Sequence, residues 1–164
     1  MSTQHDVPTS AAPAPTRVTL PTATDRPVPL IVQQWAEAWN TADARGLAAL
    51  MTEQGVYQDF AFQARNVGRD GVAHWLDLTV RSIPDTHVTV LDAFQVGDRA
   101  AAQWIFSGTP TGFGDLGGRS FSVLATSLFH LRDGKIQEVT DMYNRADLFH
   151  QLGLPSDHWV APQP

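Results

Sequence analysis

The order of hydrophobic patterns along the chain restricts the possible folds more than any other sequence feature. Between residues 29 and 82, apolar residues recur mostly at three- to four-residue spacing, which predicts amphipathic helices. From residue 87 to residue 143, β-biased runs are separated by turn signals, which predicts a meander of antiparallel strands. Helices followed by strands are typical of an α+β fold and exclude alternating β-α-β units.

Turn and capping residues set the predicted boundaries of these elements. The first helix ends near Asn40, and Asp43 has the side chain and the position of an N-cap for a second helix. A loop at Gly68–Gly71 opens a third helix, which ends near Ser82 because Pro84 follows. The predicted strands cover residues 56–60, 87–96, 100–108, 120–131 and 136–143, and a last helix covers residues 146–152.

A single folded domain is expected between residues 27 and 154. The chain of 164 residues contains 43% hydrophobic and 17% charged residues, which suits one globular domain with a substantial core. Residues 1–26 are rich in proline, alanine and threonine, so they are predicted to form a disordered leader. Residues 155–164 are predicted to form a C-terminal tail.

Charge and cysteine content argue against several kinds of partner. The formal net charge is −6 and basic residues are scattered, which argues against nucleic acid and anionic membranes as partners. The absence of cysteine excludes a disulfide scaffold and a thiolate metal site. No stretch approaches the roughly 18 apolar residues of a membrane-spanning helix. We therefore expect a cytoplasmic protein.

A carboxylate in the middle of the last predicted strand is the main candidate for chemistry. Asp141 lies among Val139, Met142 and Tyr143, and a charged group is costly to bury in such surroundings. Desolvation raises the pKa of a carboxyl group because it disfavours the charged form. A buried Asp141 would therefore suit general acid or base catalysis near neutral pH.

The turn at Asp133 and Gly134 decides which residue of the preceding strand faces Asp141. A two-residue turn would place Thr126 opposite Asp141. A three-residue loop with Gly134 in a left-handed bulge would place Ala125 there, with Val123 and Ser127 alongside. We favour the bulge, because it groups more apolar residues around the carboxylate.

Both faces of the predicted strand 120–131 are largely apolar, which indicates that neither face is open to water. Odd positions include Phe121, Val123 and Phe129, whereas even positions include Leu124 and Leu128. A half-solvated antiparallel sheet would instead alternate apolar and charged residues. One face should pack on the helices and line a pocket, and the other is predicted to contact a second subunit. We therefore expect a homo-oligomer, most simply a dimer.

Two segments resemble the SnoaL-like polyketide cyclases. They are residues 134–154, which read GKIQEVTDMYNRADLFHQLGL, and the Gly-Thr-Pro-Thr-Gly run at residues 108–112. These cyclases belong to the nuclear-transport-factor-like α+β superfamily, and the resemblance extends from about Pro29 to Leu154. It implies a cone-shaped single domain with one pocket, in which a curved, mostly antiparallel sheet wraps around the N-terminal helices. It also implies an acid/base role for Asp141 in intramolecular aldol closure. Asp59 is the candidate second catalytic carboxylate, and the alternative is that it is a turn residue.

Several aromatic and hydroxyl side chains are candidates for contact with an apolar or aromatic biosynthetic substrate. Trp104 and Phe106, for example, alternate on a predicted strand and could stack on such a substrate. No histidine or carboxylate spacing matches a metal site, so we expect no metal and no cofactor. The predicted substrate-binding residues are Trp35, Tyr57, Trp75, Trp104, Phe106, Ser127 and Tyr143.

Three functions are compatible with these observations. The first is a cofactor-independent cyclase of the isomerase or lyase type, which closes a ring in a polyketide-like substrate during natural-product biosynthesis. The second is epoxide opening of the limonene-epoxide-hydrolase type, which needs paired carboxylates with an arginine between them; Asp59, Asp141 and Arg65 or Arg69 could supply these groups. The third is a non-catalytic binding or accessory subunit. A closed pocket containing an isolated Asp141 would favour an enzyme.

Overall fold

The computed structural model of the protein describes residues 18–111 and 114–155. The predicted tail from residue 156 onwards and most of the predicted leader lie outside these ranges. The described residues form the helices α1 (Leu30–Asn40), α2 (Ala44–Leu50), α3 (Gly68–Ser82) and α4 (Arg145–Gln151) and the strands β1 (Met51–Asp59), β2 (Ala64–Val67), β3 (His87–Val96), β4 (Arg99–Gly108), β5 (Phe121–Arg132) and β6 (Lys135–Tyr143).

The six strands form one curved, open sheet in the order β2-β1-β6-β5-β4-β3. Neighbouring strands are antiparallel except β1 and β6, which run parallel. The meander from β3 to β6 agrees with the turn signals in the sequence. The predicted α+β class, with a mixed and mostly antiparallel sheet, is confirmed.

Helix α1 packs its buried stripe against the concave face of the sheet. Val32, Trp35 and Trp39 lie on this stripe, and the Trp35 ring makes edge-to-face contacts with Trp104 at 5.2 Å and Phe129 at 5.4 Å between centroids. The helix ends at Asn40, as predicted. No helix within the described residues is long and apolar enough to cross a bilayer.

The second and third helices begin with different local signals. Asp43 is the N-cap of α2, as predicted, and its carboxylate accepts a hydrogen bond of 2.8 Å from the Gly46 amide. The loop predicted at Gly68–Gly71 is instead the first turn of α3. Gly68 has φ of +75°, so the chain turns there from β2 directly into the helix without a separate loop.

The strands before α3 are longer and more numerous than the sequence predicts. β1 begins at Met51, five residues before the predicted start, and β2 was not predicted. Neither the Glu53–Gly55 segment nor β2 has the β-branched and aromatic content of a strand. Both become strands through pairing, because β1 lies between β2 and β6.

The hairpin between β5 and β6 differs from both predicted registers. Arg132 pairs with Lys135, so Asp133 and Gly134 form a two-residue turn with φ of 50° and 73°, as a type I′ turn requires. A bulge at Gln137 then shifts the register by one residue, because His130 pairs with Glu138 whereas Leu131 pairs with Ile136. Ser127, rather than Thr126 or Ala125, therefore lies opposite Asp141.

The end of the predicted leader contacts β3. The Thr24 amide donates a hydrogen bond of 2.7 Å to the Leu91 carbonyl oxygen. The Arg26 guanidinium lies 3.3 Å from the Asp92 carboxylate, with most of the arginine side chain exposed. An ion pair this exposed adds little stability. The prediction of disorder for residues 1–17 concerns a segment outside the described residues.

Candidate active site

A cavity of about 420 Å³ lies between the concave face of the sheet, the end of α1 and one side of α3. Aromatic and aliphatic side chains make up most of its wall. Its polar groups include two carboxylates on neighbouring strands. The lining residues are Trp39, Asp59, Phe62, Ala64, Trp75, Leu78, Thr79, Ser82, Ile83, Val88, Trp104, Phe106, Asp141 and Tyr143.

The two carboxylates of the cavity come from the parallel pair of strands. Asp59 is the last residue of β1, and Asp141 lies two residues before the end of β6. The two residues are direct partners across the pair, so their side chains leave the same face of the sheet. Each is almost completely buried, with 5% of Asp59 and 4% of Asp141 exposed.

Both oxygens of the Asp141 carboxylate accept hydrogen bonds from buried hydroxyl groups. The Tyr57 hydroxyl donates to Oδ2 at 2.7 Å, and the Ser127 hydroxyl donates to Oδ1 at 2.6 Å. Tyr57 and Ser127 have no exposed surface. The bulge at Gln137 places Ser127 opposite Asp141 and therefore makes the second contact possible.

Three tryptophan indoles fix the direction of these two hydrogen bonds. Trp35 and Trp39 each donate an Nε1–H to the Tyr57 oxygen at 3.1 Å, and Trp104 donates to the Ser127 oxygen at 2.9 Å. An indole N–H can only donate. The two hydroxyl oxygens therefore act as acceptors towards the indoles, and their hydrogens remain for Asp141. Asp141 is thus an acceptor at both oxygens, and further lone pairs remain for a proton or a ligand.

Opposing influences bring the pKa of Asp141 to about 7. Burial has the largest effect and raises the pKa, because the charged form loses its hydration. The hydrogen bonds from Ser127 and Tyr57 stabilise the carboxylate and lower the pKa, whereas the neighbouring charge of Asp59 raises it. Asp141 therefore exchanges a proton near neutral pH.

Asp59 has a different set of contacts. Its Oδ2 accepts a hydrogen bond of 2.7 Å from the Tyr143 hydroxyl, and its Oδ1 accepts one of 2.8 Å from the Phe62 amide. Burial raises the pKa of Asp59, and these hydrogen bonds and the Arg145 charge lower it in part. Burial, followed by the Asp59 charge, also raises the pKa of Tyr143, so its hydroxyl stays protonated and remains a donor.

The structure divides the predicted substrate-binding residues into two groups. Trp75, Trp104, Phe106 and Tyr143 line the cavity, together with both predicted catalytic aspartates. The remaining three lie behind the cavity wall and are fully buried, where they belong to the hydrogen-bond network of Asp141; they are Trp35, Tyr57 and Ser127.

Sequence reasoning missed eight of the described lining residues, and two of these eight, Trp39 and Phe62, also take part in hydrogen bonds of the site. Trp39 lines the cavity and donates to Tyr57. Its position four residues after Trp35 on one helix face could have indicated that both indoles reach the same point. Phe62 also lines the cavity and donates its amide to Asp59. It lies in the connection between β1 and the unpredicted β2, where the sequence has no clear signal.

Residues 108–111 of the Gly-Thr-Pro-Thr-Gly run lie beside the cavity, and Gly112 is outside the described residues. Gly108 ends β4, and a Cβ atom at this position would overlap the Ile83 side chain, which lines the cavity. The Thr109 amide and hydroxyl donate to the Asp85 carboxylate at 2.6 and 2.7 Å. The Thr111 amide donates to the Ser82 carbonyl oxygen at 2.8 Å. Residues 108–111 therefore connect the end of β4 to the end of α3.

The side chains of the site suit proton transfer within an apolar cavity. The cavity has a group with a pKa of about 7 at its wall, a second carboxylate beside it and a lining that is mainly apolar. Across residues 18–111 and 114–155, no three histidine or carboxylate side chains are grouped as metal ligands. Acid and base catalysis is one kind of chemistry that the side chains of the site can perform.

Solved structures with the same arrangement of helices and sheet define the class of this fold. A protein with a ketosteroid isomerase-like fold from Catenulispora acidiphila, solved in complex with trimethylamine, matches with a TM-score of 0.73 and 29% identity, over 81% of this chain and 99% of that chain. TsrD from Streptomyces laurentii matches with a TM-score of 0.66 and 26% identity, over 76% and 93% of the two chains. The protein is thus an α+β domain of the ketosteroid isomerase-like class.

The family assignment is more specific than the fold class. The family model of the SnoaL-like polyketide cyclases matches residues 29–152, and the chain belongs to this family. A proposed polyketide cyclase from Xanthomonas campestris is similar, with a TM-score of 0.67 and 26% identity over 74% of this chain and 93% of that chain. No curated protein sequence matches this chain closely enough to indicate a relationship.

Proposed function

We propose that the protein is a cyclase that closes a ring in a largely apolar, polyketide-like substrate, with Asp141 as the group that transfers the proton. One observation carries this proposal. Asp141 borders an apolar cavity, accepts hydrogen bonds at both oxygens and has a pKa of about 7. Membership in the SnoaL-like family supports a cyclase-type activity.

The proposed reaction uses Asp141 first as a base and then as an acid. Ionised Asp141 removes a proton from a carbon next to a substrate carbonyl group, which leaves an enolate. The enolate carbon attacks a second carbonyl carbon of the same molecule, a carbon–carbon bond forms, and that carbonyl oxygen becomes an alkoxide. The alkoxide takes the proton from Asp141 and the carboxylate is restored. A pKa near the working pH favours both steps.

The residues around the paired carboxylates support ring closure better than epoxide opening. Asp59 and Asp141 are neighbours, as that chemistry requires, but neither Arg65 nor Arg69 is among the cavity-lining residues that the structure describes. The Arg69 guanidinium donates instead to the Met51 carbonyl oxygen at 3.2 Å. Epoxide opening of this type needs an arginine between the carboxylates, and the described cavity lining contains none.

The surroundings of Asp141 also support an enzyme over a non-catalytic binding subunit. A binding subunit would be expected to turn Asp141 outward or to neutralise it with an arginine. Asp141 is 4% exposed, and its hydrogen-bond donors, Tyr57 and Ser127, are uncharged. A buried carboxylate with a raised pKa costs stability, which is typical of functional sites.

Proton abstraction from carbon can be tested without the natural substrate. The apolar compound 5-nitrobenzisoxazole loses a C–H proton to a base while its N–O bond breaks, and its coloured phenolate product reports turnover. We expect the wild-type protein to catalyse this elimination. Asp141→Asn should lower kcat/KM about 10²-fold or more, the usual scale for a general base.

Asp77→Asn is the matched control, because Asp77 lies on the exposed side of α3 outside the cavity lining. This variant should keep the wild-type rate. A folded Asp141→Asn variant with nearly full activity would contradict the assignment of Asp141. If Asp59→Asn then abolished turnover, Asp59 would be the base.

A further inference from the structure

We infer that the cavity binds a ligand with an alkylated ammonium group, held beside Asp59 and Asp141 and against the aromatic wall. Such a cation could bind whether or not the protein catalyses a reaction. Its role as part of the substrate rests on the proposed function. The carboxylates of the cavity attract a positive charge, and its aromatic wall accepts a cation that has apolar substituents.

Among the described residues, the hydrogen-bond donors to the two carboxylates are all uncharged. Asp141 accepts from the Tyr57 and Ser127 hydroxyls, and Asp59 accepts from the Tyr143 hydroxyl and backbone amides. Neutral donors stabilise a carboxylate but leave its negative charge in place. Two negative charges on neighbouring strands repel each other, and this repulsion contributes to the raised pKa of Asp141.

No cationic side chain supplies the missing charge within the cavity. Among the described residues that line it, none is lysine, arginine or histidine. Arg145 lowers the pKa of Asp59 by its charge, but it acts from outside the lining, where its guanidinium lies 5.7 Å from the centre of the Phe149 ring. A ligand cation would therefore add a positive charge that none of the described lining residues supplies.

The aromatic wall next to the carboxylates matches an alkylated cation. Trp104, Phe106 and Tyr143 form a continuous row, with ring centroids 5.8 Å and 5.4 Å apart along it. Phe62 extends the row, since its ring lies 6.2 Å from Tyr143. Trp39 and Trp75 also line the cavity. Aromatic rings attract cations through the negative potential of their faces, and groups of such rings recognise quaternary ammonium ligands.

The same features argue against other cations. A divalent metal ion such as Ca²⁺ takes six to eight oxygen ligands, whereas this wall has mainly carbon atoms beside two carboxylates. A primary ammonium group directs three N–H donors at hydrogen-bond acceptors, and beside the two carboxylates this wall offers mainly carbon atoms. An alkylated ammonium group needs few acceptors and places its methyl groups against the rings.

A matched pair of small molecules separates charge from shape. Choline and 3,3-dimethylbutan-1-ol have the same heavy-atom skeleton, but choline has a positively charged nitrogen where the alcohol has a carbon. Titrations of the full chain, followed by tryptophan fluorescence and by chemical shifts, should give choline at least about tenfold tighter binding than the alcohol. Equal binding, or tighter binding of the alcohol, would overturn the inference.

Three variants locate the cation. Asp59→Asn and Asp141→Asn each remove one cavity charge and should each weaken choline binding about fivefold or more, with little effect on the alcohol. Asp77→Asn removes a charge outside the cavity and should change neither affinity. Choline affinity that is insensitive to both cavity variants would overturn the inference. A preference for choline in a protein without base activity would remove the proposed reaction alone, and base activity without the preference would remove this inference alone.

Discussion

Single residues decide whether the buried carboxylate has a pKa near neutrality or far above it. Burial raises the pKa of Asp141, since the charged form loses its hydration. Tyr57 and Ser127 offset part of this effect because the indole N–H groups of Trp35, Trp39 and Trp104 hold their hydroxyls as donors. The tryptophans therefore act on the carboxylate through the hydroxyls of Tyr57 and Ser127.

Asp141→Asn should change stability in a way that depends on pH. The folded pKa is about 7 and the ordinary value is 3.8. Between about pH 4 and pH 7 the folded state holds a proton that the unfolded state has lost, so the wild type loses stability as the pH rises through this window. The asparagine variant does not titrate, and its free energy of unfolding should lack this loss.

The Asp141→Asn substitution also lowers the free energy of unfolding by an amount that does not depend on pH. The asparagine nitrogen cannot accept, so the Tyr57 or Ser127 hydroxyl loses its acceptor, at about 1–3 kcal/mol. Urea unfolding should therefore show that the free energy of unfolding of Asp141→Asn rises relative to that of the wild type between pH 5 and pH 8. A stability difference that stays constant from pH 5 to pH 8 would contradict the raised pKa.

At the scale of secondary-structure elements, the contact between the end of β4 and the end of α3 sets the cavity wall. A Cβ atom added at Gly108 would overlap Ile83. Gly108→Ala should therefore push Ile83 into the cavity or move α3, and should destabilise the fold by about 1–3 kcal/mol. Thermal unfolding measures the effect, and choline or 5-nitrobenzisoxazole titrations report the change in the cavity.

Gly71→Ala is the matched control for this substitution. Gly71 lies in the first turn of α3, and a Cβ atom there would make only ordinary contacts, the nearest at 3.7 Å. Alanine favours a helix over glycine, so this variant should be neutral or more stable by up to about 1 kcal/mol. Equal effects of the two variants would show that the overlap with Ile83 does not matter.

The sequence predicts the elements well where a signal is local. The apolar stripe of α1, the cap at Asp43 and the turn between β3 and β4 depend on neighbouring residues, and these predictions are confirmed. The three-residue loop favoured at Asp133 and Gly134 was wrong, because the turn there has two residues. β2 and the first half of β1 depend on pairing with distant strands. The register at Asp141 depends on a bulge at Gln137, which no turn residue announces.

The residues of the candidate site likewise include some that the sequence predicts and others that only the fold brings together. Asp141 could be selected from the sequence because a charge stands out in an apolar strand. The network of Tyr57, Ser127 and the indoles could not be predicted, because it joins residues from α1, β1, β4 and β5 that only the fold brings together. The cavity itself depends on the same long-range packing.

At the scale of the whole molecule, the convex face of the sheet is the surface that should contact a second copy. Phe94, Ala101, Leu128 and Thr140 form a row across β3 to β6, since each pairs with the next. Phe94 is 61% exposed and Leu128 is 50% exposed. Met142 lies beside this row. Contiguous apolar patches of this kind mark interaction sites, and a symmetric dimer is the simplest arrangement.

We therefore predict a homodimer that dissociates when charge is placed on this face. Sedimentation at micromolar concentration should give a dimer for the wild type and a monomer for Leu128→Glu. Leu30→Glu is the matched control, because Leu30 is an exposed leucine on α1, and this variant should remain a dimer. A wild-type protein that sediments as a monomer at all concentrations would contradict the prediction.

The central claim, that Asp141 exchanges a proton near neutral pH, can be measured directly by ¹³C NMR of aspartate carboxyl groups in a pH titration. We expect one carboxyl signal to titrate near pH 7, to disappear in Asp141→Asn and to titrate at higher pH in Ser127→Ala, which loses a donor to the carboxylate. If every aspartate instead titrates below pH 5 in the folded wild type, Asp141 is permanently ionised and the account of the site is wrong.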